Sequence, residues 1–255
     1  MRHIEISERR LLFNRVIKAD IPETYREMSA KQFHLICKLN RKQIRDEDFI
    51  VQFCSLDSRL WNKLDLFYVY KLADLVGSMK DSNHVDFFFD HCVRLGSADY
   101  YLPLFSSISL FQFMAVDTFA QWYEHTKKQT FLVNFFACLA LPFNAEFFSY
   151  DQVAASNVIS SVVDKDPDSV SKLEDLVINW QLIKAWLTDK YPHMFPVDSA
   201  EPPADGKSPA PADWSQFFDS LIGERLENIE PYKRLPAVDV FRIVNGRIRD
   251  RRFGK

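Results

Sequence analysis

Few side chains in this chain stand in arrangements that do covalent chemistry. The nearest approach to a metal-ligand set is His84, His91 and Cys92, flanked by Asp86 and Asp90. Seven residues separate the two imidazoles, so a helix there would put both on one face, and imidazole with thiolate is a zinc-binding combination. The same spacing also describes an ordinary polar helix surface. Neither H-E-x-x-H nor C-x-x-C occurs anywhere in the chain, and we assign no metal. Nucleophilic catalysis needs a Ser or Cys beside a base. There is no G-x-S-x-G, and Ser106-Ser107 and Ser160-Ser161 read as loop and helix surface. The acids Asp164, Asp166 and Asp168 bracket Pro167. Proline in a first turn and acids near a helix N-terminus are both stabilising, so this cluster reads as a helix start and not as an acid–base pair. The six glycines stand apart, and none forms a phosphate-cradling loop. The expectation is a protein with no catalytic residue and no cofactor, and so not an enzyme.

Two other features point to binding. The first is charge. The 255 residues carry a net charge of −3, but positions 232–255 hold eight Lys and Arg against two Asp. Arg242, Arg247, Arg249, Arg251 and Arg252 make a basic helical end on an acidic body. Arginines there complement the helix dipole whatever else they do. As a site they suit an acidic protein partner, and nucleic acid less well, because only Phe241 and Phe253 lie among them. The second feature is aromatic content, with 23 Phe. Most sit at helical spacing and belong to a core. Phe87-Phe88-Phe89, Phe135-Phe136, Phe147-Phe148 and Phe217-Phe218 are adjacent, and one inward face cannot take every ring. Phe88, Phe148 and Phe218 are therefore assigned, with the arginines, to partner binding. The four cysteines, Cys37, Cys54, Cys92 and Cys138, are scattered through apolar contexts and read as buried free thiols. No segment has the length and apolarity of a membrane span or a secretory signal, which places the chain in a reducing cytoplasm.

The elements that would position these groups are mostly helices. Ser29 with Gln32 forms a capping box ahead of a helix carrying Phe33, Ile36, Cys37 and Leu39. Asp46 starts a second helix, and a third runs from about Leu64 to Gly77. A further helix is predicted over 85–93. Ser109 opens the clearest one, with Leu110, Phe113, Met114, Asp117, Phe119, Ala120 and Trp122 on one broad face. Helices follow over 130–141, 150–163 and 167–190. Residues 1–28 show only a short extended segment. Positions 196–212 hold five of the twelve prolines and read as a linker. Beyond it, helices over 214–222 and 236–252 make a small basic C-terminal piece, separable from the 1–195 body. The fold class is mainly α: an irregular multi-helix body with a short extended N-terminal segment and a small helical C-terminal piece on a Pro-rich linker.

Several landmarks together resemble a known family. Ile21-Pro22-Glu23-Thr24-Tyr25-Arg26-Glu27-Met28-Ser29 with Gln32 resembles that family's P-x-x-[WY]-x-E-[LM]-[ST]-x-x-Q entry. Ser109-Leu110-Phe111-Gln112-Phe113 with Asp117, Phe119 and Tyr123 resembles its central helix. Leu139-Ala140-Leu141-Pro142, then Trp186 with Tyr191-Pro192-His193-Met194-Phe195, resemble its later helix ends, and Trp214 with Leu221-Ile222-Gly223 its C-terminal piece. The family comprises helical proteins of phage and prophage tail gene clusters from gut bacteria. The resemblance implies a non-enzymatic tail assembly factor in the host cytoplasm or the virion, with helical tail proteins such as a tape-measure protein, or further copies of itself, as partners. The alternative is a structural neck, connector or tail component whose basic C-terminal helix meets an acidic neighbour or DNA. It implies no catalytic or ligand residues.

Overall fold

The computed structural model describes residues 2–9, 14–56, 66–77, 85–195, 213–223 and 226–252. The predicted linker 196–212, His84 and the predicted start of the third helix at Leu64 lie outside them. The chain is mainly helical and divides into two compact units, Met1–Val85 and Asp86–Lys255. The division therefore falls at 85/86 and not at the linker.

In the first unit, β1 (Arg2–Arg9) and β2 (Asn14–Ile21) form an antiparallel pair in the register Arg2↔Ile21 to Arg9↔Asn14. Helix α1 (Ala30–Asn40) begins with the predicted capping box. The Ser29 side chain accepts from the Gln32 N–H, and the Gln32 side chain accepts from the Ser29 N–H. Gln32 also donates through Nε2 to the Phe53 carbonyl at 3.1 Å, tying the start of α1 to the end of α2 (Asp46–Phe53). Phe33, Cys37, Phe49 and Phe53 are buried between these helices. Helix α3 spans Leu66–Gly77 and buries Leu72 and Val76.

The second unit opens with bends where a helix over 85–93 was expected. Asn179, fully buried, explains the difference. Its Nδ2 donates to the Phe87 carbonyl and its Oδ1 accepts from the Phe89 N–H, at 3.1 and 2.9 Å. Backbone groups satisfied by a distant side chain need no helical partners. The segment then enters β3 (Cys92–Leu95), which pairs with β4 (Ala98–Tyr101) across a tight turn where Gly96 takes a φ of 58°. Strand β5 (Leu141–Pro142) adds a third strand.

Helix α4 (Leu110–Thr126) is capped by Ser109, whose side chain accepts from the Gln112 N–H, and ends at Lys127 in the left-handed region. Gln112 is buried and donates to the Cys138 carbonyl at 3.0 Å, holding the end of α5 (Gln129–Leu139). Leu132, Phe135, Phe136 and Leu139 of α5 are fully buried, so both rings of the Phe135-Phe136 doublet are core. Helix α6 (Gln152–Val163) starts at Asp151 and α7 (Pro167–Lys190) at Asp166, each with a carboxylate accepting from the first turn. On α7, Leu173, Leu176, Trp180, Ile183 and Leu187 face inward.

The C-terminal elements are α8 (Trp214–Ile222), α9 (Ile229–Arg234) and α10 (Ala237–Arg252). They are not a separable piece. The backbone of 235–237 is stitched to 108–110: the Leu110 N–H donates to the Leu235 carbonyl at 2.7 Å and the Ala237 N–H to the Ile108 carbonyl at 2.9 Å. Phe241 is fully buried, with its ring 4.8 Å from Phe113 and 5.3 Å from Phe195. Asn245 accepts from the His193 and Met194 N–H groups at 2.9 and 3.1 Å and so caps the chain leaving α7. The core of this unit is an aromatic cluster, Phe105, Phe113, Trp180, Trp214 and Phe241, in largely edge-to-face contact.

Candidate functional site

The centre of the second unit is a buried carboxylate. Asp117 on α4 is fully inaccessible. Its Oδ1 accepts from the Trp180 indole N–H at 2.9 Å and lies 3.0 Å from the Lys184 ammonium. Its Oδ2 accepts from the Trp214 indole N–H at 2.9 Å and from the Gln121 amide. A buried charge is tolerated only when paired and hydrogen-bonded, and here every acceptor direction is used. The network joins α4, α7 and α8. Trp214, the first helical residue after the linker segment, is thereby latched to the body. Sequence reading placed Asp117 on a helix face without assigning it a partner. A lone acid among Phe113, Met114, Val116 and Ala120 was the available signal. Apart from Gln121, one turn on, its partners are 63 to 97 residues away and carry no local pattern.

Two concave surfaces flank Trp214. The first lies between α8 and α10 and has a volume of about 580 Å³. Asp117, Gln121 and Lys184 form its floor, Phe195, Phe217, Leu221, Val244 and Ile248 its walls, and Arg247 and Arg251 its rim. The second is an open trough along the outer face of α4. Phe111, Ala115, Phe119 and Trp122 line it, with Trp214 and Ser215 on the far side. Phe111 and Trp122 are each 39% exposed. At the Phe111 end, the rings of Phe111 and Phe148 stack at 6.4 Å, the Lys233 ammonium lies 5.2 Å from the Phe111 ring and the Arg234 guanidinium 4.5 Å from the Phe148 ring. Cations over ring faces are held by the ring quadrupole, and the Lys233 ammonium is also paired with Glu230 at 2.9 Å.

The predicted binding residues divide between these surfaces and the core. Phe148 is 38% exposed and belongs to the basic-aromatic end of the trough. Phe218 on α8 is half-buried. Phe88 is a correction. It is buried and stacks on Trp180 with ring centres 6.3 Å apart, because the bent 85–91 segment turns it inward. The arginines do not form one face either. Arg247 and Arg251 lie one turn apart at the pocket rim. Arg242 pairs with Asp239 at 3.1 Å and Arg249 with Asp250 at 3.1 Å. At 100° per residue Arg249 points roughly 160° away from Arg247. Arg252 ends α10, and its side chain lies outside the described ones. His91 is exposed, and among the described residues no group of His, Cys, Asp or Glu has the arrangement of a metal site. Cys37, Cys54 and Cys138 are buried free thiols as expected, and burial pushes the Cys54 and Cys138 thiols up to about 12. Cys92 is exposed instead, since the first residue of β3 points outward. Among the described residues no helix is long and apolar enough to cross a membrane.

No match was found. That holds for family models, curated proteins and solved structures alike.

Proposed function

We propose that this chain is a non-enzymatic assembly factor that holds helical protein partners. The landmark resemblance directs the proposal to phage or prophage tail proteins, such as a tape-measure protein. One observation carries the binding part: the apolar row Phe111, Ala115, Phe119 and Trp122 on the outside of α4. Its 4-4-3 spacing follows one helix face for about 16 Å, three turns, and two large rings in it remain solvated in a unit that buries most of its others. A helix presenting apolar residues at matching spacing fits such a trough. The flanking charges set the partner's chemistry. Arg234 stands at one end, beside Lys233 with its ammonium paired to Glu230 at 2.9 Å, and Lys127 and Lys128 follow the other, so acidic residues at the two ends of the partner's apolar stripe are favoured. A tape-measure protein exposes long helical stripes before the tail tube forms, and such a factor would cover them and then leave.

The test is binding of the purified chain to a phage tape-measure protein, or to its helical peptides. Substituting Asp for both Phe111 and Trp122 removes two aromatic anchors; one such anchor is typically worth about 2 kcal/mol and hot-spot losses are not additive, so binding weakens by between about 30-fold and about 1,000-fold. Unchanged binding by that double variant, or no binding of any tail protein, refutes the proposal. A fixed copy number in finished virions would favour instead the structural reading, a neck or connector component, which the exposed arginines of α10 would serve.

A further inference from the structure

The charge on the lining of the pocket between α8 and α10 is net positive, with Lys184, Arg247 and Arg251 against Asp117 and Asp213. Its two carboxylates already accept hydrogen bonds within the fold. Both oxygens of Asp117 are occupied, as described above. Asp213, at the same rim, accepts from the N–H and hydroxyl of Ser215 as the cap of α8. The Ser220 hydroxyl donates to the Phe217 carbonyl at 2.7 Å. The two guanidiniums at the rim are not committed. Arg247 and Arg251 stand four residues apart on α10 and, among the described residues, neither has a carboxylate or carbonyl partner. Side chains at that spacing have Cβ atoms about 6 Å apart, so two guanidinium forks can converge on one small anion. Below them the walls are apolar: Met194, Phe195, Phe217, Leu221, Val244 and Ile248.

An amine would meet the two guanidiniums with like charge, and a sugar or an extended peptide would set polar groups against the apolar walls. A molecule with acceptors at one end and no polar group elsewhere meets no such penalty. The volume of about 580 Å³ falls within the range that encloses a small organic ligand. We propose that this pocket binds a monocarboxylate with an apolar tail, of the fatty-acid class, its carboxylate between Arg247 and Arg251 and its tail directed toward Trp214. The site is separate from the α4 trough and stands whether or not the helix-binding function holds.

The experiment is calorimetric titration of the full-length protein with dodecanoate below its micelle concentration, followed in parallel by tryptophan fluorescence. Dodecanol, dodecylammonium and acetate serve as probes of the head and the tail. The expected result is one dodecanoate per chain, with dodecanol, dodecylammonium and acetate each weaker by about tenfold or more. The double variant R247Q/R251Q loses about tenfold in dodecanoate affinity and none of its melting temperature, since both side chains are exposed. R242Q, which removes a paired arginine away from the pocket, leaves binding unchanged. Three outcomes would overturn the proposal: no saturable dodecanoate binding, dodecanol bound as tightly as dodecanoate, or R247Q/R251Q binding like the parent. Capture at this rim of an acidic helical peptide that dodecanoate fails to displace would assign the arginines to a protein partner and also overturn it.

Discussion

Replacing Asp117 by Ala removes the acceptor on which three helices converge, and the structure sets the size of the loss. Trp180 is fully buried, so its indole N–H is left with no partner and no water. An orphaned buried donor costs about 1–3 kcal/mol. Trp214 is half-buried and its indole can recover part of its bond from solvent, adding about 1 kcal/mol. The Lys184 side chain is 29% exposed and can swing its ammonium outward, so its share is that of a partly exposed pair, at most about 1 kcal/mol. The sum is about 3 kcal/mol. In a unit of this size that lowers the melting temperature by about 6–12 °C. Thermal unfolding followed by near-ultraviolet circular dichroism reads the tryptophan environment directly. Lys184→Met tests the assignment, because it removes the cation but leaves Asp117 its two indole donors and the Gln121 amide. If Asp117→Ala melted within about 2 °C of the parent, the carboxylate would not be the joint between α4, α7 and α8.

Phe241→Ala empties a fully buried site beside Phe113 and Phe195 and costs about 3–5 kcal/mol; deletion of 213–255 removes that ring with Trp214 and is expected to leave the second unit unfolded by circular dichroism, whereas a truncated chain melting like the parent would restore the separable piece. The caps Asp166 and Asp213 are held below the usual carboxylate range, chiefly by the hydroxyls of Ser169 and Ser215. Their folded pKa is depressed, so the stability they contribute is present above the unfolded value near 4 and is lost as pH falls through the folded one. Melting temperature should therefore drop on the acid side, and D166N/D213N, which keeps both caps but cannot titrate, should shallow that drop. A thiol-specific reagent should label Cys92 rapidly in the folded protein and Cys37, Cys54 and Cys138 only in denaturant, and rapid labelling of Cys54 or Cys138 would contradict their burial.

Helix boundaries were readable because their causes are local. The capping box at Ser29 and Gln32, the Ser109 cap and the Asp166-Pro167 start each depend on residues within one turn, and each is found where the pattern puts it. The 85–93 segment was misread for the opposite reason. Its three phenylalanines fit a helix, but its backbone bonds go to Asn179, about ninety residues away. Phe88 was misassigned with it. The aromatic content pointed to exposed rings, and Phe148 is one, yet adjacency alone could not separate Phe148 from Phe136, which is fully buried.

What the sequence determined by itself is the class of structure, mainly α, and the starts of most helices, because capping and 3.6-residue periodicity act within a few residues of chain. The pairing of Asp117 with Trp180, Lys184 and Trp214, the packing of the C-terminal helices into the second unit and the burial of Phe88 against Trp180 were decided by tertiary structure. Each depends on which distant surfaces meet, and a burial or pairing energy is realised only when both partners arrive at the same place.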